Sequence, residues 1–298
     1  MPITSSVQLP QWHPFNGLDL ATVLAAHADH FQDRPFLVWE PGTSGETARW
    51  TYAEFALEVE QVASGLIDRG VGRGDGVMLL LENSPAFIVC WFACARIGAV
   101  AIDTNTLYST DELAHAIALT DPVGIITHRE YAVGLEGLVE GRWIETIDDA
   151  TWTCRGLTGS PEALPAHVPD PGQALCVQFT SGTTSRPKAV VYTHANILWA
   201  ARVGAAHGDI RPDDVFLIYM PLFHTAALLW HLLPTFWAGG TAVVMPKYSA
   251  SRFWEVSLRN RCTQTMLLGI MATTLAEIDA DLKQVTDRIL GMLGGLSQ

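Results

Sequence analysis

Lysine is scarce in this chain of 298 residues, which has only Lys188, Lys247 and Lys283. Lysine and arginine together number 18 against 31 acidic residues, a formal net charge of −13. That balance argues against general nucleic-acid binding, which rests on cationic side chains neutralising phosphates. Charged residues make up 16% of the chain and hydrophobic ones 49%, ample for a core and unlike a disordered polypeptide. The five cysteines, at positions 90, 94, 154, 176 and 262, form no metal-ligand spacing. Cys90 and Cys94 fall on one face of an apolar helical run and read as packed side chains. An odd count without a signal peptide points to a reducing cytoplasm. A clean apolar run of membrane-spanning length is missing too. Residues 85–102 are interrupted by Arg96 and Gly98, and 225–245 by His231, Pro234 and paired glycines. Each divides into a helix followed by a strand, the pattern of a buried α/β layer. There is no internal repeat and no low-complexity tract.

What is present is a regular alternation of strands and helices. Asp19–Phe31 has the periodicity of a helix, Phe36–Glu40 that of a strand, and 49–51 begins a second strand that suggests a hairpin. Thr51 and Glu54 have the spacing of a capping box, opening a helix that Gly70 ends. The glycine-rich run 70–76 precedes the strand Val77–Leu81 instead of joining a strand to a helix, so it is not a dinucleotide fingerprint. Asn83-Ser84-Pro85 opens a helix to Ile97. The strand Val100–Ile102, a helix over 110–119, a strand over 123–127, a helix over 130–139 and a strand over 142–147 follow. This alternation predicts an α/β fold: two lobes of mostly parallel sheet with helices on both faces. Residues 151–172 hold four prolines and three glycines with no periodicity and read as a connector. The expected division is lobe one over about 18–150, a linker over about 151–172, and lobe two over about 173–298. In the second lobe strands are expected over 174–179, 189–193, 215–219, 241–245 and 264–268. Helices are expected over 194–207, 225–237, 249–260 and 271–281.

The chemistry concentrates at Thr180-Ser181-Gly182-Thr183-Thr184-Ser185-Arg186-Pro187-Lys188. It lies between the apolar runs 174–179 and 189–193, which read as strands. Each hydroxyl can donate a hydrogen bond, glycine admits close backbone approach, and lysine adds a point charge with three donors. That inventory suits a phosphate chain. It is not a Walker A sequence, because no Gly-Lys-Ser/Thr ending is present and a proline precedes the lysine. A second candidate is Met220-Pro221-Leu222-Phe223-His224, at the carboxyl end of a predicted strand, the edge where open α/β sheets bind ligands. There His224 could bond a carboxylate or phosphate, or start a helix as a buried residue. Thr193, His194 and Asn196 read as helix-capping groups. Trp230 and Trp237, seven apart on one predicted helix face, read as core.

Phe179–Asn196, with Tyr192-Thr193-His194-Ala195-Asn196, closely resembles the phosphate-loop signature of the adenylate-forming superfamily of AMP-dependent synthetases and ligases. With Ser185-Arg186 in the loop, it looks most like crotonobetaine/carnitine–CoA ligases and related acyl-CoA synthetases. Lys247-Tyr248-Ser249-Ala250 and Phe253-Trp254 match the same pattern. Ala189 stands where that family usually has glycine, and its Cβ disfavours positive φ. The resemblance covers about residues 18–285 and matches roughly the first half of an acyl-CoA synthetase. The downstream Tyr-Gly-x-Thr-Glu segment, the ribose-binding aspartate and the small lid domain are not found in this sequence. The expectation is therefore an AMP-binding large domain over 18–298, an amino-terminal portion not fully active alone.

The resemblance implies an ATP-dependent carboxylic acid–CoA ligase that forms an acyl-adenylate and then an acyl-CoA. ATP with Mg²⁺ and CoA would be its small-molecule partners alongside the acid, and a homodimer is compatible with it. It further implies that Thr180, Ser181, Gly182, Thr183 and Thr184 cradle phosphate oxygens, with Thr183 or Thr184 on Mg²⁺. Lys188 would neutralise the departing pyrophosphate, and His224 would flank the acyl site in a positioning role. Two alternatives remain open at this stage: an amino-acid-activating adenylation domain, and a non-catalytic nucleotide-binding protein.

Overall fold

The computed structural model describes residues 7–42, 46–135, 137–148, 151–180 and 186–278. Helix α1 (Leu20–Phe31) is capped by Asp19, whose side chain accepts from the Thr22 N–H. Strands β1 (Pro35–Trp39) and β2 (Ala48–Thr51) form the expected antiparallel pair. The capping box at Thr51 forms. The Thr51 hydroxyl accepts from the Glu54 N–H, and the Glu54 carboxylate accepts from the Thr51 N–H, opening α2 (Tyr52–Asp68). Strand β3 (Gly76–Leu80) leads to α3 (Pro85–Ile97), which Ser84 caps and Gly98 ends in the left-handed conformation. Then come β4 (Val100–Asp103), α4 (Thr110–Thr120) with a second capping box at Ser109 and Glu112, and β5 (Gly124–Thr127). The helix expected over 130–139 is reduced to α5 (Arg129–Ala132) and one 3₁₀ turn, Val133–Leu135. Gly134 and Gly137 fall within the expected span, and Gly137 adopts positive φ.

After β6 (Trp143–Thr146) the connector runs through two 3₁₀ turns to β7 (Ala174–Thr180). The connector is not a free linker. Gly159 donates to the Gln61 carbonyl of α2. A Cβ on Gly65 would lie 1.6 Å from the Leu157 carbonyl oxygen, so only glycine permits this close approach. Strand β8 (Lys188–Thr193) runs into α6 (His194–His207), capped by Thr193 with Asn196 as read from the sequence. Strand β9 (Val215–Ile218) precedes a helical segment made of α7 (Thr225–Ala227), a π-turn (Leu228–Leu232) and α8 (Leu233–Ala238). The π-turn carries an extra residue per turn and breaks the 3.6-residue period. Trp230, expected in the core, is consequently 63% exposed. Strand β10 (Thr241–Val244), helix α9 (Ala250–Arg259), strand β11 (Gln264–Thr265) and helix α10 (Gly269–Ile278) complete the described chain.

The strands form two sheets, ordered β6-β5-β3-β4-β7-β8 and β11-β9-β10-β1-β2. Every pairing is parallel except β7–β8 and β1–β2. The predicted α/β architecture of mostly parallel sheets is thus observed. The sheets do not divide at residues 151–172, however. Hairpin β1–β2 joins the later strands, and β7–β8 join the earlier ones. Sequence order hides this exchange, because a parallel pairing can join strands any distance apart.

In β3, Val77 and Leu79 belong to the large core with α3 and the second sheet, while Met78 and Leu80 face a smaller cluster with Leu113 and Ile117 of α4. Alternate residues of a strand face opposite sides, so this sheet is covered on both faces. Helix α3 is buried from Pro85 through Ala95, and Phe92 packs edge-on against Phe55 and Phe236. All-round burial explains its near-unbroken apolar sequence. Cys90 and Cys94 are both buried there, and the Cys90 thiol lies 3.2 Å from that of Cys154.

Candidate functional site

The carboxyl ends of β4 and β7 in one sheet and of β9 in the other meet at a cleft of about 650 Å³. Thr180 and His224 both line it, as do Asp103, Arg186 and Thr225. Thr180 ends β7 and lies in register with Lys188, the first residue of β8. An antiparallel pair of this kind brings the two ends of the loop together. Ser181, Gly182, Thr183 and Thr184, with Ser185, lie outside the described residues. Pro187 is buried, and its carbonyl oxygen is 3.2 Å from Nε2 of His115 on α4. Tyr108 meets Phe179 edge to face, with ring centroids 6.0 Å apart. Helix α4 and the segment just before it thus brace the ends of β7 and β8. Ala189 is an ordinary strand residue opposite Phe179, and no positive φ is asked of it.

His224 sits on the turn after β9. Its Nδ1 accepts a hydrogen bond from the Ala226 N–H at 3.2 Å, making His224 the cap of α7. A ring nitrogen that accepts carries no proton, so the neutral imidazole holds its proton on Nε2. His224 is exposed, and its remaining nitrogen is a donor. This chemistry suits binding an anionic oxygen and does not suit a general base.

Asn83, read from the sequence only as part of a helix start, fixes that turn. Its Nδ2 donates to the carbonyls of Met220 at 2.8 Å and Met245 at 3.0 Å, and its Oδ1 accepts from the Leu222 N–H at 2.7 Å. One buried amide therefore joins the end of β3 to the ends of β9 and β10. A short polar side chain at the carboxyl end of a buried strand was the signal available for it.

Asp103 ends β4, one residue beyond the strand expected over Val100–Ile102, and so gave no signal in the sequence. It is 1% exposed. Its Oδ2 accepts from Gln178 Nε2 at 3.2 Å, and Gln178 Oε1 accepts from the Thr225 hydroxyl at 2.9 Å. Burial pushes the Asp103 carboxyl well above the usual carboxylate range, against the opposing influence of the Gln178 and Trp91 side chains. The remaining sequence candidates are structural. His194 is buried, its Nδ1 accepts from the Leu20 N–H at 3.2 Å, and burial lowers its pKa to about 4. Tyr248 donates to the Met271 carbonyl, Phe253 is core, and Lys247 is exposed. Among the described residues no group of three or more His, Cys, Asp or Glu side chains is placed to hold a metal ion.

The profile of the family described as AMP-binding enzyme matches residues 24–295. The chain belongs to the AMP-binding enzyme family. A crotonobetaine/carnitine–CoA ligase of Escherichia coli O17:K52:H18 is 33% identical over 264 residues, 83% of this chain and 50% of that protein. The chain thus spans about half the length of the curated relatives it matches. Among solved structures, a putative long-chain-fatty-acid CoA ligase of Rhodopseudomonas palustris CGA009 superposes with a TM-score of 0.78 at 23% identity. That superposition covers 88% of this chain and 66% of the other. MbtA of Mycobacterium smegmatis, in its apo form, gives 0.80 at 24% identity, covering 92% and 54%. These likenesses establish the fold of this AMP-binding family member. The phosphate-loop resemblance read from the sequence and the family assignment agree. No helix among the described residues is long and apolar enough to cross a membrane.

Proposed function

We propose that this AMP-binding family member is the nucleotide- and acid-binding portion of an ATP-dependent carboxylic acid–CoA ligase. The observation that carries the reading is the convergence of Thr180, Arg186 and Pro187, at the adjoining ends of β7 and β8, and of the His224 turn on one cleft. In the first step a carboxylate oxygen bonds to the α-phosphorus of ATP and the bond to pyrophosphate breaks. In the second, the CoA sulfur bonds to the acyl carbon, AMP departs, and the thiol proton is lost. The chain's task is to hold separated negative charges in fixed geometry. Thr180, with Ser181, Gly182, Thr183 and Thr184, donates to phosphate oxygens, and Lys188 offsets the charge of the leaving pyrophosphate. Thr184 would supply a hydroxyl to the Mg²⁺ that accompanies ATP, which would offset part of the phosphate charge. The Nε2–H of His224 donates to an anionic oxygen of the acid. The buried free thiols, Cys90, Cys94, Cys154 and Cys176, are consistent with a reducing compartment, and the cytoplasm is the proposed location.

The test is acid-dependent exchange of labelled pyrophosphate into ATP, run on this chain and on any longer polypeptide containing it. Exchange that depends on the acid and falls at least 10-fold in Lys188→Ala supports the reading. Exchange unaffected by Lys188→Ala refutes the lysine's role, and AMP production that ignores added acid refutes the reaction class.

A further inference from the structure

The hydrogen bonds from Thr225 to Gln178 and from Gln178 to Asp103 all run in one direction. The Thr225 hydroxyl spends its proton on Gln178 Oε1 at 2.9 Å, and Gln178 spends an amide proton on Asp103 Oδ2 at 3.2 Å. Gln178 is 3% exposed, and Asp103 closes the buried end of the relay. The other Asp103 oxygen, Oδ1, is buried, and the buried Trp91 indole is the second side chain acting on this carboxyl. Thr225 is the cleft end and only partly buried. A hydroxyl that has donated its one proton keeps lone pairs and nothing else to offer. Beside it, His224 presents Nε2–H as a donor. The cleft therefore places a donor for an anionic oxygen next to an acceptor.

We propose that Thr225 is a specificity-determining residue for the acid, that Asp103 positions it through Gln178, and that this relay selects acids with a hydrogen-bond donor near the carboxylate. A hydroxyl or an amide N–H fits; a keto or ether oxygen, which only accepts, faces lone pairs and loses the contact. Discrimination of this kind is asymmetric, because an acceptor left unpaired in a closed site penalises the wrong ligand. The inference rests on the reading that this cleft takes the acid.

The test uses ligand-observed NMR titration of the chain with straight-chain acids of four to six carbons and their 3- and 4-hydroxy and 3- and 4-oxo counterparts. A net contribution of ~1 kcal/mol for one hydrogen bond predicts that the best hydroxy acid binds roughly 5-fold tighter than its oxo partner. Thr225→Val, which keeps the shape and removes the oxygen, brings that ratio to about 1, as does Asp103→Ala. Asp103→Asn retains the ratio, because its amide oxygen can still accept from Gln178 Nε2. A wild-type ratio at or below 1, or a ratio unchanged in Thr225→Val, overturns the inference, and Thr225→Val decides it if Asp103→Ala does not fold. Mg-ATP titration of the same samples separates two failures. ATP binding with no preference between the acids overturns this inference alone. A folded chain that binds neither ATP nor any acid overturns it together with the proposed function.

Discussion

Replacing Asn83 with alanine should unfasten the two sheets at the cleft. The amide makes hydrogen bonds of 2.8, 3.0 and 2.7 Å to Met220, Met245 and Leu222, and it is buried. Removing it leaves two backbone carbonyls and one N–H without this partner in a dry place. Each such group costs ~1–3 kcal/mol unless the chain relaxes or water enters. With partial relaxation the expected loss is ~3 kcal/mol. At about 2.1 cal/mol/K of unfolding entropy per residue, 298 residues give ~0.6 kcal/mol/K, so Tm should fall by about 5 °C. Asn83→Asp keeps the acceptor for Leu222 but points a carboxylate at two carbonyls, and it should cost at least as much. Circular dichroism melts at one scan rate measure both. A Tm for Asn83→Ala within about 1 °C of wild type would refute the view that this side chain holds the turn. Because the turn carries His224, acid affinity in Asn83→Ala should fall even at temperatures where the variant remains folded.

Three further outcomes are expected. Ser109→Ala removes the cap that accepts from the Glu112 N–H and should cost ~1 kcal/mol in denaturant titration. His194 has its pKa lowered to about 4 from 6.5, so between those values the unfolded chain binds the extra proton and the native chain does not. Its contribution to stability is complete above about 6.5 and is lost as pH falls towards 4, where the Nδ1 that accepts from Leu20 becomes protonated. The Tm of His194→Gln should depend less on pH across that window than the wild-type Tm. Asp103 has the opposite sign: a raised carboxyl keeps its proton in the native state after the unfolded chain has released it, so the wild type loses stability as pH rises above the ordinary carboxylate range. Asp103→Asn should therefore gain on wild type as pH rises, by up to ~1.4 kcal/mol per pH unit while Asp103 remains protonated, measured as parallel Tm–pH profiles.

Much of this arrangement was legible in the sequence because local chemistry and tertiary structure agree. Thr51 and Glu54, or Ser84 before Pro85, specify a helix start whatever lies around them. The residues proposed to hold phosphate, 180–188, are recognisable in order because they are contiguous. Three kinds of feature escaped. The exchange of hairpins between sheets depends on which strand edges pair, and nothing local to Phe36 or Val177 encodes that. The exposure of Trp230 follows from a π-turn that a fixed helical period cannot anticipate. Asn83, Asp103 and Gln178 act on residues between 47 and 162 positions away. A lone amide or carboxylate beside a buried strand is ambiguous until the fold supplies its partners. The histidine was read as a positioning group without knowledge of its tautomer, which the Ala226 N–H assigns.

The most direct test of the central claim is calorimetric titration of this chain with Mg-ATP, with Lys188→Ala alongside. The account predicts saturable binding that weakens roughly 10–100-fold in the variant, as expected for the loss of one charge-assisted hydrogen bond of ~1.5–3 kcal/mol. Equal affinity in both proteins, or no binding by a chain whose melting curve shows it folded, would contradict the assignment of the hairpin to the phosphates.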